Sequence, residues 1–219
     1  MLNAYYANEI TLADVQSVWS IGDVRNITID AIATTGTAND NTWSVGESHR
    51  SQTVQIQILD FDHDTLSSTV GTAGKTKALI SVEAKNCLRD ASVSDTNGSS
   101  NTEHGYMNSS NDNTTGWTNC ARRTWCNNVF YNALPFSFKN MVKQVNKLTS
   151  AGNQSTAINT TADYIWLPSE IEIFGSTTYS KAGEGSQYAW YASATANRYK
   201  LPKWGSSSVS DIWWERSPY

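Results

Sequence analysis

The stretch Asp163-Tyr-Ile-Trp-Leu-Pro-Ser-Glu-Ile-Glu-Ile-Phe-Gly175 contains a complete short helix signal. Proline is favoured at the first position of a helix, so Pro168 predicts a helix that begins there and continues over Ser169 to Phe174. Glycine tolerates the left-handed conformation that ends many helices, so Gly175 predicts the stop. Trp166 is expected in the core, because a buried tryptophan ring removes a large area from water.

Two later stretches have the same mixture of tryptophan or tyrosine with glycine, proline and charged residues. They are Gly183-Glu-Gly-Ser-Gln-Tyr188 and Ile212-Trp-Trp-Glu-Arg-Ser-Pro218. Trp213 and Trp214 are predicted to be core residues alongside Trp166. This mixture indicates a fixed, loop-rich scaffold.

The elements Trp-Leu-Pro-Ser-Glu and Trp-Trp-Glu-Arg-Ser-Pro resemble the signatures of a C-type-lectin-like family found in phages and gut bacteria. The resemblance extends upstream through Gly116-Trp117, Arg122 to Cys126 and Phe130-Tyr-Asn-Ala-Leu-Pro135. It therefore covers the second half of the chain, and the first half only loosely. It implies an α+β, C-type-lectin-like fold that is rich in loops, with short twisted antiparallel strands and two or three helices.

The end of the chain departs from that family. Chains of this kind usually continue past W-W-x-R-S-P into further strands that end in a G-x-R-P element, whereas this sequence stops at Tyr219. We expect either that the C-terminal part is truncated or that a partner or a second copy completes the fold.

Composition excludes several classes of function. Charged residues make up 16% of the 219 residues, well below the roughly 25% of an average globular protein. The net charge of −4 and the absence of a basic patch argue against a nucleic-acid partner. No apolar run is long enough to span a membrane, so membrane insertion is not expected. The N-terminus lacks the basic start and apolar core of a signal peptide.

Periodicity assigns the elements upstream of the signatures. Thr11 and Asp14 form a helix-start pattern, and the helix is predicted to end at Gly22. Strands are predicted over 24–32, 53–61 and 78–84, the last two as partners. A helix is predicted over 119–131, and a second over Phe136 to Val145 with its apolar side chains directed inward. The inward residues of this second helix are Phe138, Met141, Val142 and Val145.

Two regions of one fold are expected. Residues 1–85 supply an N-terminal helix and strands, and residues 86–219 form the C-type-lectin-like signature region. Asp90 to Gly116 is nearly free of core residues and is predicted to be a long loop. The odd cysteine count predicts that Cys87, Cys120 and Cys126 are reduced and mostly buried.

The segment Asp60-Phe-Asp-His-Asp64 offers carboxylates at alternating positions, as a calcium loop does. A calcium loop also needs a glycine turn and a distal glutamate, which are missing here. We therefore predict that these carboxylates cap a strand end and hold His63, and that no metal or other cofactor is bound. Acid–base chemistry at His63 is disfavoured, since neighbours on a strand point to opposite faces and no G-x-S-x-G element supplies a nucleophile.

Glu170 and Glu172 lie two residues apart on the predicted helix, so they do not form a catalytic pair. Glu170 falls in the first turn, where a carboxylate interacts favourably with the helix dipole. Arg216 is predicted to be the buried partner of one of these acids or of a backbone carbonyl.

A ligand-contact surface is predicted between Gln187 and Trp204, together with the Asn- and Ser-rich loop before Trp117. Large aromatic residues alternate there with small polar ones, a composition typical of binding surfaces, although tyrosine and tryptophan can equally fill a core. The predicted contact residues are Gln187, Tyr188, Trp190, Tyr191, Ser193, Thr195, Asn197 and Tyr199.

The resemblance implies a function in recognition. Its superfamily includes receptor-binding tip proteins of phages, some of them diversified by retroelements, and a copper-using enzyme that makes formylglycine. We therefore expect a non-enzymatic phage tail-tip or virion-surface protein that binds a host cell-surface glycan or protein beside other virion proteins, with a homo-oligomer as one arrangement. The alternatives are a structural virion protein without a receptor and a formylglycine-type enzyme. The enzyme is disfavoured because it uses paired cysteines, and Cys120 and Cys126 lie away from the C-terminal region.

Overall fold

A computed structural model describes most of the chain. The described residues are 1–32, 50–71, 74–88, 107–108, 113–114, 116–153, 155–200 and 215–218. Trp204, Trp213 and Trp214 lie outside these residues, as does most of the predicted loop from Asp90 to Gly116. The predictions for those positions therefore remain predictions.

The described chain mixes helices with two antiparallel sheets. The first sheet has the order β1-β2-β5 and contains β1 (Val24–Ile29), β2 (Gln52–Phe61) and β5 (Ile80–Ala84). All pairs in it are antiparallel, and Ile56 lies opposite both Arg25 and Ala84. The three predicted strands of the N-terminal region are therefore confirmed, as is the pairing of the last two.

The second sheet has the order β4-β3-β6-β7. Its strands are β3 (Thr65–Val70), β4 (Lys75–Lys77), β6 (Val145–Ser150) and β7 (Ile158–Asp163). β3 follows β2 after a turn in which Asp62 has a φ of 52°, and it then pairs with β6 from the second half of the chain. One sheet therefore joins the N-terminal strands to the signature region.

Short helices connect the strands. α1 (Leu2–Tyr6) and α2 (Leu12–Gln16) precede the first sheet. Between β5 and β6 the chain forms α3 (Ala121–Thr124), a π-helical stretch (Trp125–Phe130), α4 (Tyr131–Ala133) and α5 (Phe136–Lys139). After β7 come α6 (Glu170–Phe174), α7 (Ala189–Ser193) and a 3₁₀ turn (Thr195–Arg198). The described helices thus outnumber the two or three that were expected.

The helix signals gave correct starts more often than correct ends. The Thr11–Asp14 capping box is present, but α2 ends at Gln16 and not near Gly22. The residues before Gly22 form a turn and not a helix. In this turn the Ser20 backbone N–H donates to the Asp23 carboxylate, and the Gly22 backbone N–H donates to Ile58 O in β2.

The helix after Pro135 is also shorter than predicted. It covers only Phe136–Lys139, and Val145 begins β6, where it pairs with Asp163. Met141 is largely exposed, and Phe138 and Val142 are partly buried. Val145 therefore pairs in a strand, whereas its spacing from Phe138 and Val142 predicts the buried face of a helix.

The core divides into neighbouring clusters around the two sheets. Leu79 and Val15 are fully buried in the cluster that joins α1, α2 and the first sheet. Trp117 and Trp125 form a second cluster with the buried thiols of Cys120 and Cys126, and none of the three cysteines forms a disulfide. Trp166 is partly buried between these two clusters, so it packs against the core without being enclosed by it.

Truncating a buried residue should be costly, whereas truncating an exposed one should not. Leu79→Ala removes a fully buried side chain and is expected to lower the free energy of unfolding by about 2–5 kcal/mol. Val18→Ala is the matched control, because Val18 is 65% exposed and should change stability by less than about 0.5 kcal/mol. Urea unfolding of both variants measures the difference, and equal effects would contradict this placement of the core.

Candidate functional site

A buried ion pair fixes the region around α6. Arg216 Nη1 lies 2.6 Å from Glu172 Oε2, and Nη2 lies 3.0 Å from Oε1, so the contact is bidentate. Both residues are about 1% exposed. The guanidinium also donates to Leu167 O and Leu148 O. The prediction that Arg216 is the buried partner of one of the two acids is confirmed, with Glu172 as the acid.

The sequence around α6 explains why Glu172 lies there. The helix begins at Glu170 with Ser169 as its N-cap, so the predicted start at Pro168 is two positions too early. The Ser169 hydroxyl accepts the Glu172 backbone N–H, and Glu172 accepts the Ser169 N–H. This capping box directs the carboxylate inward. Gly175 ends the helix with a φ of 73°, as predicted.

A second ion pair continues the buried network. Lys147 Nζ in β6 lies 2.6 Å from Glu172 Oε1 and 2.6 Å from Asp64 Oδ1. The Tyr188 hydroxyl, 3.0 Å from Lys147 Nζ, donates to Asp64, and the Ser81 hydroxyl does so as well. Burial alone would raise the pKa of the Asp64 carboxyl, but the Lys147 charge and the hydrogen bonds hold it below its usual range.

The network is electrically balanced. Asp64 and Glu172 supply two negative charges, and Lys147 and Arg216 supply two positive ones. Buried charges are tolerated when they are paired and hydrogen-bonded in this way. With every charge matched, this cluster serves as scaffold.

Tyr188 and Tyr191 belong to that scaffold and not to a surface. Both side chains are completely buried, in the cluster with Leu59 and Ile173. The Tyr191 hydroxyl donates to Glu83 Oε2 at 2.5 Å. Burial raises the pKa of both phenols well above its usual range. Placing these two rings on the ligand-contact surface was therefore wrong, because their alternation with small polar residues reflects a buried helix face.

Three more of the predicted contact residues are partly buried and hold the local backbone. Gln187 Nε2 donates to Ile173 O at 2.8 Å, and Asn197 Nδ2 donates to Trp190 O at 2.8 Å. The Trp190 ring packs so closely on Gly22 that a Cβ there would come within 2.6 Å of it. These side chains position the segment.

The remaining predicted residues, Ser193, Thr195 and Tyr199, are exposed. The structure also exposes aromatic rings of α6 and the loop after it that sequence reasoning missed. Phe174 is 42% exposed and Tyr179 is 67% exposed, compared with 66% for Tyr199. The Arg198 guanidinium lies 5.4 Å above the Phe174 ring and so connects the 3₁₀ turn to α6. We define the recognition face as the surface formed by Phe174, Tyr179, Ser193, Thr195, Arg198 and Tyr199.

A groove of about 360 Å³ opens at one end of this face. Its floor includes the Glu170 carboxylate, which accepts the backbone N–H groups of Thr178, Tyr179 and Ser180 at 2.7–3.2 Å. Burial would raise the pKa of Glu170, but these hydrogen bonds lower it. The lining residues are Glu170, Phe174, Thr178, Tyr179, Ser180, Glu215 and Ser217.

Glu215 is the lining carboxyl whose pKa is raised. Burial, followed by the nearby charges of Glu170 and Glu184, raises its pKa to about 7. Glu184 is itself buried, accepts Ser150 N at 2.6 Å and is bound by the Ser217 hydroxyl. Burial raises the pKa of Glu184 as well.

The Asp60–Asp64 segment does not gather a metal site. The Asp60 carboxylate accepts the backbone N–H of Phe61, so it caps a strand end as predicted. It also accepts the backbone N–H of Ala189, the first residue of α7. Asp64 points into the buried network. Among the described residues, no group of three or more His, Cys, Asp or Glu side chains is arranged to hold a metal ion.

His63 has one contact that the sequence did not indicate. Its Nε2 lies 3.1 Å from the hydroxyl of exposed Ser186. Its Nδ1 lies 3.5 Å from Asp64 Oδ1 but forms no hydrogen bond with any described residue. Asp64 is already bound by Lys147 and Tyr188, so it does not orient His63 as the acid of a catalytic triad would.

Comparison with protein families now places the chain. A family model described as "Domain of unknown function (DUF6273)" matches residues 75–219. The chain belongs to this DUF6273 family. No curated protein and no solved structure matches the chain.

The DUF6273 region contains nearly all of the site. Lys147, Glu172 and Arg216 fall within it, as does the whole groove. Asp64 lies before it, in the turn between β2 and β3. The N-terminal strands therefore complete the buried network of the DUF6273 region.

Breaking the central pair of the DUF6273 region should be strongly destabilising. Arg216→Met leaves the buried Glu172 carboxylate matched only by Lys147, which it shares with Asp64, so we expect a loss of about 3–5 kcal/mol in the free energy of unfolding. Glu172→Gln combined with Arg216→Met keeps the Lys147–Asp64 pair balanced and should be more stable than Arg216→Met alone. Urea unfolding measures both, and exposed Arg25→Met is the control. A double variant no more stable than the single one would contradict the charge balance.

Ionisation of Glu215 should destabilise the fold as the pH rises. The pKa of its carboxyl is 4.5 in a reference peptide and about 7 in the protein. Its contribution to stability is therefore complete below pH 4.5 and is lost as the pH rises through 7. Glu215→Gln removes this loss, and after allowance for solvent screening we expect it to be more stable than wild type by on the order of 1 kcal/mol at about pH 8.

Near pH 5 the two proteins should melt at closely similar temperatures. Melting curves across this range test the expectation, with the exposed Glu9→Gln as control. A stability difference that does not depend on pH would contradict the assigned titration.

Proposed function

We propose that this protein is a noncovalent recognition module with a C-type-lectin-like fold, and that it binds its ligand through the recognition face. The observation that carries the proposal is the set of exposed rings of Phe174, Tyr179 and Tyr199 on a backbone held by buried ion pairs. Rings of this kind give a large contact area at a low cost in conformational entropy.

The chemistry around the rings favours a glycan of the host cell surface over a protein. Aromatic faces stack on sugar rings, and the Thr195 side chain is exposed to exchange hydrogen bonds with sugar hydroxyls. The Ser193 hydroxyl already donates to Trp190 O and accepts from Asn197 Nδ2. The sequence resemblance supports a location on a phage tail tip or virion surface, in contact with other virion proteins. Diversification by a retroelement and assembly into a homo-oligomer are further expectations of that resemblance.

The buried polar groups support binding over catalysis. The Lys147, Glu172 and Arg216 charges are matched inside the protein, and Asp64 does not orient His63. For the formylglycine-type alternative, Cys120 is buried with its pKa raised by that burial, and its thiol donates to Met107 O at 2.9 Å. These features favour a protonated, structural thiol. The structural virion protein is the alternative that the binding experiment decides.

The proposal predicts that exposed rings matter for binding but not for folding. Tyr179→Ala and Tyr199→Ala should each weaken binding at least about tenfold, because aromatic residues at the centre of an interface typically contribute about 2 kcal/mol or more. Melting temperatures should barely change, since both rings are about two-thirds exposed. A glycan array followed by titration of the best ligand measures the effect.

Phe136→Ala is the matched control, because Phe136 is 76% exposed but lies in α5, outside the recognition face. Binding lost equally in this control would show that exposed rings act nonspecifically. Failure to bind both a glycan array and a panel of gut bacterial cells would contradict the recognition function and favour the structural virion protein.

A further inference from the structure

The groove at the end of the recognition face combines aromatic walls with carboxyl groups. Phe174, the last residue of α6, and Tyr179, in the loop that wraps around Glu170, both line the groove. Glu215 and Ser217 come from the C-terminal segment that Arg216 anchors in the core. Three separate segments therefore converge on one opening.

The charges that line the groove all have the same sign. Glu170 and Glu215 are its only ionisable carboxyl or basic side chains, and neither lysine nor arginine is among the described lining residues. Glu184 adds a third carboxyl behind Ser217. Two positive charges lie outside the lining: Arg198, over the Phe174 ring, and Lys181, which follows the lining residue Ser180 in the chain.

The carboxyl groups differ in what they can still bind. Both oxygens of Glu170 already accept backbone N–H groups, and Glu184 is occupied by Ser150 and Ser217. Calcium and similar ions need six to eight oxygen ligands, which two committed carboxylates do not supply. A single diffuse positive charge suits the site better, because it needs one counter-charge and an aromatic surface.

We propose that this groove binds the alkylammonium group of a ligand, with Tyr179 and Phe174 against its alkyl substituents and Glu215 as its counter-charge. The inference rests on the proposed recognition function, since it names the chemical class that one end of the face takes. The groove volume of about 360 Å³ is sufficient for such a group together with its nearest atoms.

Ionisation of Glu215 gives the binding a pH dependence of known sign. The groups that face its carboxyl are Glu170 from α6, Glu184 from the preceding loop and the Tyr191 phenol from α7, and Arg216 follows it in the chain. Glu170 and Glu184 oppose its ionisation. A bound cation favours the ionised form, so affinity should rise as the pH passes through about 7, where Glu215 loses its proton.

The test uses choline, whose charge does not titrate, and 3,3-dimethylbutan-1-ol, its uncharged carbon isostere. Binding to the full chain is followed by NMR chemical-shift changes or calorimetry at about pH 8 and about pH 5.5, on either side of the Glu215 titration. We expect choline to bind at least about fivefold more tightly than the isostere at the higher pH, which corresponds to roughly 1 kcal/mol. This preference should be lost at the lower pH.

Variants separate the roles of the groups. Glu215→Gln should abolish both the preference for choline and its pH dependence, and Tyr179→Ala should weaken choline binding. Arg198→Gln removes a nearby positive charge and should strengthen it. Glu9→Gln, an exposed acid away from the groove, should leave binding unchanged. Melting curves check that each variant is folded.

The outcomes distinguish a failure of the alkylammonium site from a failure of the recognition function. Equal binding of choline and its isostere, or unchanged choline binding by Glu215→Gln, overturns the alkylammonium site. If glycan binding through Tyr199 persists in that case, the recognition function stands without this site. If choline binds as expected but no glycan or cell surface does, the groove is an ammonium site and the wider recognition function fails.

Discussion

The pairing of Arg216 with Glu172 is the constraint on which the rest of the described structure depends. It connects the C-terminal segment to α6, and through Lys147 it reaches the second sheet and Asp64 beyond it. Burying four charges costs solvation energy that their mutual attraction recovers only with good geometry. That geometry demands one register for β6 and one position for α6. The network therefore selects a unique arrangement more than it adds stability.

The sequence was most informative where the chain's own backbone groups are satisfied locally. The capping pair Thr11–Asp14, the left-handed Gly175 and the strand β2 all depend on near neighbours, and all formed as expected. The buried role of Arg216 could also be foreseen, because a charged residue inside a tryptophan-rich signature needs internal partners, but the sequence left open whether Glu170, Glu172 or a backbone carbonyl was its partner.

The β6–β7 hairpin could not be predicted, because its inward face is polar. Along β6 the buried positions are Val145, Lys147, Thr149 and Ser150, and along β7 they are Thr161 and Asp163. A search for alternating apolar residues does not detect such strands, since their core-facing side chains join ion pairs and hydrogen bonds made by distant residues. The opposite error occurred at Tyr188 and Tyr191, whose surface-like composition concealed complete burial.

Hydrogen bonds already made inside the protein determine which groups of the recognition face are available to a ligand. The polar side chains of Glu170, Gln187 and Asn197 are each committed to nearby backbone groups. What remains exposed is aromatic rings and the Thr195 side chain on a backbone that is already held. Association with such a face needs little reorganisation, so less of the interaction energy is lost in ordering. Removing an exposed ring should therefore act mainly on the dissociation rate, because the encounter surface itself stays in place.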